Sequence, residues 1–399
     1  MIRLLIGGSP CTHWSIAQKN SRETQPNSGL GWELFLNYKI ALEKYKPDYF
    51  LYENNKSASQ AIKDEIALQL GVVEPDLLTP DNGVRMTHIN SALVSAQQRE
   101  RFYVTNFGDI WQPEDKGIDI RDILSNSYKP INTTSRGTKA RTLMSGYYKY
   151  GTATLLTNEG FKGGATAVAE ALCPFALNKI DAIVEKYGYL PELFNPYNKA
   201  EITDKSPTLT TCCGSQTSSA TTFIVESAVY ATPCEWDETG KPIKAISGAD
   251  GKTYIVYKVK DGLITIRNKQ YPIDLPDGFY IIRKLTVDEC KRLQTIPDWY
   301  KFPVSDSQAY KMIGNGWTVE VIKYLLSHIP NIQNEEIEVL SMYDGMSCGN
   351  IALKEMGCDV VKYYATEIDK YAIQTTQHNF PNTIQLGDAF QVRDEGWHL

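Results

Sequence analysis

Apolar strand-like runs alternate with helical segments at both ends of this chain, and this alternation constrains the fold more than any other feature. In the first part, the runs LLIGG, YFLY and RFYVTNF are separated by loops and by the helical pattern WELFLNYKIALEKY. In the last part, IEVLSMY, VVKYYATEID and TIQLGD are separated by helical segments such as IALKEMG. Strands that alternate with helices build a mostly parallel sheet, so the sequence predicts an α/β fold.

Composition limits the class of protein. A chain of 399 residues with 42% hydrophobic and 22% charged residues is typical of a globular protein of two domains. Eight cysteines without CxxC or Cys/His ligand spacing predict reduced thiols and no metal site. We find neither an apolar run long enough for a membrane span nor a signal-peptide pattern, so we expect a cytoplasmic protein without membrane contact.

Three regions of the chain differ in composition and in their pattern of apolar residues. Residues 1–127 have the α/β pattern, residues 128–275 are rich in Thr, Ser, Tyr and Gly with short strands such as TYIVYKV and LITI, and residues 276–399 return to the α/β pattern. In the third region, Thr286 and Glu289 have the spacing of a helix capping box. We therefore expect an α/β domain that is interrupted by an irregular, β-containing insert.

The last sixty residues indicate a nucleoside site. A strand leads into the turn YDGMSCG and then a helix, the layout in which ligands bind at the carboxyl ends of parallel strands. The next strand ends at Glu367, where an acid can bind ribose hydroxyls, and the third ends at Asp388, an acceptor for an adenine amino group. Without a phosphate-binding loop, this pattern favours S-adenosylmethionine over NAD or ATP. The alternative is a purely structural turn with helix-capping acids.

Together these segments resemble the DNA cytosine-5 methyltransferases. The resemblance rests on GGSPCTHWS, SGLGWELF, YENN, QQRERFYV, RKLTVDECKRLQ, QAYKMIGNGWTVEVI, VLSMYDGMSCG, ATEID and LGD. It implies a Rossmann-like class I S-adenosylmethionine-dependent methyltransferase sheet with an inserted target-recognition domain. The motif order is rotated, because the catalytic motifs come first and the cofactor motifs last, which predicts a circular permutation. The motif ENN (Glu53 to Asn55) replaces the more frequent ENV, which would alter the base pocket at Asn54, and LSxxDGxxxG resembles the animal de novo branch.

The resemblance assigns catalytic roles. Cys11 would add to C6 of cytosine, and Glu53 would protonate or hydrogen-bond N3. Arg101 would contact the base O2 and Arg99 would support the loop, since the spacing of QQRER places both on one face of a strand. The competing Pro-Cys pair at Cys234 lacks the preceding LLIGG strand. The cofactor residues implied are Tyr343, Asp344, Gly345, Met346, Glu367, Ile368 and Asp388, with Asn315 and Trp317 from the closing motif.

The middle region has the composition of a DNA-contacting surface. Between residues 123 and 158 it has five basic side chains and no acidic one, including Arg136, Lys139 and Arg141, within a chain of net charge −6. The uncharged segment 206–225 offers hydroxyls for bases or backbone, among them Thr208 and Thr210. The target cytosine would be flipped out of double-stranded DNA, with Gln18 or Arg22 filling the gap.

Two alternatives to a DNA methyltransferase stay open. An RNA cytosine-5 methyltransferase would need a smaller recognition region, and a catalytically silent nucleic-acid-binding relative would not need the full set of catalytic residues. We expect a monomer in a bacterial or phage-infected cell. Whether a cognate restriction enzyme accompanies it is left open by the sequence, as is the recognised site.

Overall fold

A computed structural model gives the structure of the chain. It describes residues 1–10, 13–14, 22–73, 81–124, 129–131, 139–143, 145–149, 167–172, 186, 193–195, 200–201, 223–224, 245–247, 253–266, 269–273, 275, 278–395 and 397. The chain divides into two compact units. Unit 1 comprises Met1–Leu124, Thr133–Lys149 and Thr286–Leu399, and unit 2 comprises Ser125–Asn132 and Tyr150–Leu285.

Unit 1 is built on a seven-stranded sheet flanked by helices. Its strands are β1 (Ile2–Gly7), β2 (Tyr49–Asn55), β3 (Arg85–Asn90), β4 (Glu100–Thr105), β15 (Glu336–Met342), β16 (Asp359–Thr366) and β17 (Ile384–Gly387). Its helices are α1 (Leu30–Tyr45), α2 (Gln60–Gln69), α3 (Ile120–Ile123), α4 (Val287–Leu293), α5 (Asp306–Asn315), α6 (Val319–Leu326), α7 (Cys348–Glu355) and α8 (Lys370–Asn379). The predicted α/β class is confirmed.

The sheet order is β17-β16-β15-β1-β2-β4-β3. Neighbours from β17 to β2 pair in parallel, and β4 runs antiparallel to both β2 and β3. From β15 the chain proceeds through β16 to β17 in one direction, whereas from β1 it proceeds to β2 in the other. The direction therefore reverses between β15 and β1, and a crevice at the carboxyl ends of two such strands is where open α/β sheets bind ligands.

Two glycines let the chain pass this crevice closely. A Cβ on Gly7 would lie 2.6 Å from the main-chain oxygen of Met342, and one on Gly8 would lie 2.5 Å from that of Glu53. Real Cβ atoms do not approach so closely, so a side chain at either position would force the backbone apart. The GG pair of the first motif is thus required by the packing of β1 between β15 and β2.

The helices bury their apolar faces against this sheet. Helix α1 packs Trp32, Phe35 and Tyr38 into the core, where they are almost fully shielded from solvent. Helix α4 begins with the predicted capping box: the Thr286 amide donates to Glu289 (2.7 Å), and the Glu289 amide donates to the Thr286 hydroxyl (3.2 Å). Such reciprocal bonds satisfy two donors at the start of the helix.

Unit 2 consists of antiparallel strands. One sheet has the order β13-β12-β11-β14-β6-β5 with β10 beside β11, and a smaller one has the order β8-β7-β9. The strands are β5 (Lys129–Ile131), β6 (Ala167–Leu172), β7 (Leu193–Asn195), β8 (Ala200–Glu201), β9 (Phe223–Ile224), β10 (Ala245–Ser247), β11 (Thr253–Lys260), β12 (Leu263–Ile266), β13 (Lys269–Pro272) and β14 (Gly278–Lys284). The strands expected at TYIVYKV and LITI are therefore present as β11 and β12.

The unit boundaries differ from the expected 127/128 and 275/276. Residues 133–149 belong to unit 1, where the Ala140 amide donates to the Ala96 carbonyl at 2.7 Å and the ring of Tyr147 lies 5.8 Å from that of Tyr310. Strand β14 belongs to unit 2 because it pairs with β6 and β11, so the second boundary lies after Leu285.

Candidate active site

The carboxyl end of β2 places Glu53 in a buried position beside two nitrogen donors. Its Oε1 lies 3.0 Å from Nε of Arg101, and its Oε2 accepts a hydrogen bond of 3.0 Å from the indole nitrogen of Trp317. Strand β2 contributes Glu53, strand β4 contributes Arg101, and the loop after α5 contributes Trp317. A buried carboxylate with a donor on each oxygen has a fixed orientation, as a group that exchanges a proton with a substrate requires.

The opposite face of β2 holds the end of β1 in place. Side chains alternate along a strand, so Tyr52 and Asn54 point away from Glu53. The Tyr52 hydroxyl lies 2.8 Å from Oγ of Ser9, and the Asn54 amide donates to the Ser9 carbonyl (2.9 Å), to its hydroxyl (3.1 Å) and to the Tyr52 hydroxyl (3.0 Å). All three residues are buried. Asn54 therefore supports the segment before Cys11, a role that the sequence analysis did not assign.

The two arginines of QQRER have separate partners. Strand β4 begins at Glu100, so Gln97 and Arg99 precede it, and the expectation of one shared strand face is corrected. The Arg99 guanidinium donates to the carbonyls of Gly314 (3.3 Å) and Gly316 (2.9 Å), whereas Arg101 pairs with Glu53. Arg99 thus fixes the loop between α5 and α6 that carries Trp317. Gln97 is fully buried, and neither of its side-chain polar atoms has a partner among the described residues.

Asp344 stabilises the turn after β15 from within. Its carboxylate accepts hydrogen bonds from the hydroxyls of Tyr363 (2.8 Å) and Ser347, and its amide donates to the Thr366 carbonyl (3.0 Å). Burial raises the pKa of Asp344 from its ordinary value of 3.8 to about 6, against the opposing effect of the hydroxyl donors.

The surface beside this turn has open space, an exposed apolar side chain and acidic side chains at the strand ends. The Glu367 carboxylate accepts bonds of 2.8 Å from the amides of Gly345, Ile368 and Asp369, which fixes it at the end of β16. A Cβ on Gly345 would meet nothing within 4 Å, so open space lies in front of the turn. The Ile368 side chain is 74% exposed, and the exposed Asp388 follows β17. Fixed acids for hydroxyl and amino groups beside an apolar surface are what a nucleoside without phosphates needs.

Two of the three remaining residues predicted for the cofactor, Tyr343 and Met346, have contacts within unit 1. The Tyr343 hydroxyl donates to the Leu34 carbonyl at 2.7 Å, so its ring packs toward α1. Met346 is buried, and its carbonyl accepts a 2.6 Å bond from Tyr300. Asn315 is exposed at the end of α5. These contacts shape the turn and its surroundings.

Cys348 is close to the crevice, yet it is unsuited to be a nucleophile. Burial raises the pKa of its thiol to about 12, and the thiol donates to the main-chain carbonyl of Trp317 at 3.6 Å. Because the thiolate is the reactive form of cysteine, a thiol with so high a pKa is inert at neutral pH.

Comparison with known proteins assigns the family. The C-5 cytosine-specific DNA methylase family matches residues 1–331 of this chain. The chain belongs to this family. A segment of 93 residues is 33% identical to the type II methyltransferase M.HhaI of Haemophilus parahaemolyticus, and covers 22% of this chain and 28% of that relative. The orphan methyltransferase M.SPRI of Bacillus phage SPR is 24% identical over 375 residues, which cover 82% of each protein.

Among solved structures, the S. pombe Dnmt2 methyltransferase aligns with 83% of this chain and 79% of its own, at 14% identity and a TM-score of 0.37. The matched region of the C-5 cytosine-specific methylase family contains Glu53, Arg99, Arg101 and Trp317. It ends before β15, so the Asp344 turn and the acids Glu367 and Asp388 follow it in the chain. In the sheet, however, β15 is paired with β1, which is inside the matched region.

Several predicted site residues lie outside the described residues: Cys11, Gln18, Arg136, Thr208 and Thr210. The structure describes three other residues predicted to contact DNA, Arg22, Lys139 and Arg141. Arg22 donates to the carbonyls of Trp14 (3.2 Å) and Ser57, and the Lys139 amino group donates to those of Ser95 (3.2 Å) and Ile118. Arg141 is half-buried. Arg22 and Lys139 are therefore engaged in holding the chain of unit 1.

The described part of the chain contains neither a membrane-spanning helix nor a cluster of metal-binding side chains. No helix there is long and apolar enough to cross a membrane. No group of three or more His, Cys, Asp or Glu side chains is placed there to hold a metal ion.

Proposed function

We propose that this protein transfers a methyl group from S-adenosylmethionine to C5 of cytosine in double-stranded DNA, at a specific sequence. The observation that carries the proposal is the position of Glu53. A buried acid, held by Arg101 and Trp317, lies at the carboxyl end of β2, in the same sheet edge as the Asp344 turn. Membership of the C-5 cytosine-specific methylase family supports this use of the site.

The covalent step is assigned to Cys11. C5 of cytosine reacts poorly with an electrophilic methyl group until a nucleophile has added to C6. The Cys11 thiolate would form a bond to C6 while N3 takes a proton from Glu53, which converts the aromatic ring into an enamine. Gly8, which precedes Cys11 by three positions in the sequence, packs against Glu53. The strands that precede the two proposed groups, β1 and β2, are paired neighbours in the sheet.

The remaining steps restore the ring. S-adenosylmethionine would supply the methyl group, carried on a positively charged sulfur, and Glu367 and Asp388 would hold its ribose and adenine. After C5 has gained the methyl group, its proton leaves to a solvent base. The C6–sulfur bond then breaks, which returns the thiolate of Cys11, and N3 gives its proton back to Glu53. Since this chemistry needs access to C5 and C6 of one base, the cytosine would leave the duplex stack.

We also propose that the chain is a circular permutant of the family arrangement. The catalytic strands β1 and β2 precede the cofactor strands β15 and β16 in sequence, although β1 and β15 are neighbours in the sheet. Unit 2, which contains the Thr- and Ser-rich segment, would be the target-recognition domain. Its size favours duplex DNA over RNA as the substrate.

A mechanism-based trap tests the proposal. With S-adenosylmethionine and DNA in which 5-fluorocytosine replaces cytosine, the fluorine cannot leave C5 as a proton does, so the cycle should stop at a denaturation-resistant complex. Peptide mapping should place the adduct on Cys11. Cys11→Ala should abolish both the complex and methylation, whereas Cys234→Ala, at the other Pro-Cys pair, should retain both. Methylation of DNA by Cys11→Ala would refute the mechanism, and methylation of RNA but not DNA would refute the substrate.

A further inference from the structure

Trp317 binds Glu53 directly, and nothing in the sequence places these residues together, since they are separated by 264 positions. The indole nitrogen lies 3.0 Å from Oε2 of Glu53, and the opposite oxygen lies 3.0 Å from Arg101. The three groups come from different parts of unit 1: β2, β4 and the loop between α5 and α6. The orientation of the Glu53 carboxylate is therefore set by two side chains from outside its own strand.

The chemistry of an indole suits a positioning role. Its N–H group donates one hydrogen bond and accepts none, and it does not ionise in the physiological pH range. It can therefore hold a carboxylate oxygen without competing for the proton that this acid gives to a substrate. A hydroxyl or imidazole at the same place could donate or accept, so it would not specify one orientation of the carboxyl group.

The loop that carries Trp317 is rigidly held. Arg99 donates to the Gly316 carbonyl in the loop and to the Gly314 carbonyl in the last turn of α5. The buried Gln294 side chain donates to the carbonyls of Ile313 (3.0 Å) and Gly316 (3.4 Å) and accepts from the Thr318 hydroxyl (2.8 Å). These bonds restrain the main chain on both sides of Trp317 and so favour one position of the indole.

The same loop also contacts the turn at which the adenosyl group is proposed to bind. The Trp317 carbonyl accepts the bond from the Cys348 thiol, and a Cβ on Gly316 would lie 3.2 Å from both the Cys348 sulfur and the terminal methyl carbon of Met346. A side chain at this position would require its neighbours to move by a few tenths of an ångström. The main chain at Trp317 thus lies against the cofactor turn while its side chain holds the acid.

We infer that Trp317 is a positioning residue for Glu53, which orients the carboxyl group toward the base and ties it to the cofactor turn. This inference rests on the proposed function, because it gives Trp317 a part in the chemical step. It differs from the sequence-based expectation, which assigns Trp317 to the cofactor site. A cofactor-covering residue would change the affinity for S-adenosylmethionine, whereas a positioning residue would change the rate of methyl transfer.

Trp317→Phe tests the inference, because it keeps an aromatic ring and removes only the donor. We expect the single-turnover methylation rate to fall about ten-fold, the scale of one hydrogen bond to a charged group. The dissociation constants for S-adenosylmethionine and DNA should not change. The matched control is Trp299→Phe. Trp299 is also half-buried and donates its indole hydrogen to a glutamate, Glu355 (2.7 Å), away from Glu53, so this variant should methylate at the wild-type rate.

A second experiment, in the Glu53→Asp variant, distinguishes a positioning role of Trp317 from a general effect on the fold. In Glu53→Asp the side chain is shorter by one methylene, so the carboxyl group no longer reaches the indole. Adding Trp317→Phe to this variant should therefore lower the methylation rate little further. An equal ten-fold loss in both backgrounds would mean that the ring acts through the fold, and would overturn the inference. Unchanged turnover in Trp317→Phe, or weaker cofactor binding at an unchanged rate, would overturn it too. If the wild-type protein itself transfers no methyl group to cytosine, the proposed function fails first and the inference fails with it.

Discussion

Tyr52 and Tyr38 allow a sharp test of the hydrogen-bond network beneath the candidate active site. Both are fully buried, and their rings pack against each other with centroids 5.0 Å apart. Their hydroxyls differ: that of Tyr52 contacts Ser9 and Asn54, whereas that of Tyr38 has no partner among the described residues. The change Tyr→Phe removes one oxygen in each case, so the two variants differ only in what that oxygen contacts.

The structure predicts opposite signs for the two variants. Tyr52→Phe removes two buried hydrogen bonds at a net cost of about 1 kcal/mol each, so the free energy of unfolding should fall by about 2 kcal/mol. Tyr38→Phe removes a buried hydroxyl that makes no compensating bond, so stability should rise by up to about 1 kcal/mol. Burial raises the pKa of both hydroxyls above the ordinary value of 10, so both stay protonated at neutral pH.

Scanning calorimetry at pH 7 measures the difference. For a unit of this size, about 1 kcal/mol corresponds to about 2 to 4 °C in the midpoint of thermal unfolding. Tyr52→Phe should therefore lower the midpoint by several degrees, while Tyr38→Phe leaves it unchanged or raises it. Tyr52→Phe should also slow methylation, because its hydroxyl holds Ser9, two residues before Cys11. Equal destabilisation by both variants would refute the assignment of the bonds to Tyr52.

Two further predictions concern the cofactor end of the sheet. Glu367→Ala and Asp388→Ala should each weaken binding of S-adenosylmethionine by about 1 to 3 kcal/mol in calorimetric titration, the scale of lost hydrogen bonds to a ligand, and unchanged affinity in both would contradict the cofactor site. For Asp344, the pKa of about 6 in the folded protein exceeds the ordinary 3.8, so the folded state binds more protons between these values and stability falls as pH rises from about 4 to 6. The rise in pKa corresponds to about 3 kcal/mol. Asp344→Asn should remove this part of the pH dependence in denaturation curves at pH 4 and pH 7, and an identical slope in wild type and variant would show that Asp344 does not cause it.

Local patterns were sufficient to predict the parts of the fold that depend on neighbours in sequence. Six of the seven strands of unit 1 follow apolar runs, whereas β3, with the sequence RMTHIN, does not. The capping box at Thr286 needs only four consecutive residues. The positions of Glu53 and Glu367 at strand ends could also be predicted, because the carboxyl ends of parallel strands lie at one edge of a sheet.

Features that depend on distant pairing could not be predicted. Strand β14 pairs with β6, more than a hundred residues earlier, so its sequence alone does not reveal to which unit it belongs. Part of the basic segment likewise belongs to unit 1, where Ala140 forms a β-bridge with Gln97. This contact joins residues more than forty positions apart, so the local sequence does not reveal it. The bond between Trp317 and Glu53 is the strongest case: its geometry depends on a loop fixed by Arg99 and Gln294, and no periodicity reports such contacts.

The order of the strands explains how the proposed permutation can leave the chemistry intact. The candidate site is made where the carboxyl ends of β15 and β1 meet, and these strands are paired over six residue positions, from Ile2 with Ile337 to Gly7 with Met342. Their closeness depends on hydrogen bonds and on the absence of a side chain at Gly7, not on which strand the chain forms first. The acid on β2 and the turn after β15, where we propose that the adenosyl group binds, therefore lie at the same edge of the sheet in either chain order. Gly7→Ala should disturb the site, because its Cβ would collide with Met342 on the strand that precedes the proposed cofactor turn. A rotated order of the motifs, in contrast, leaves the pairing of these strands unchanged.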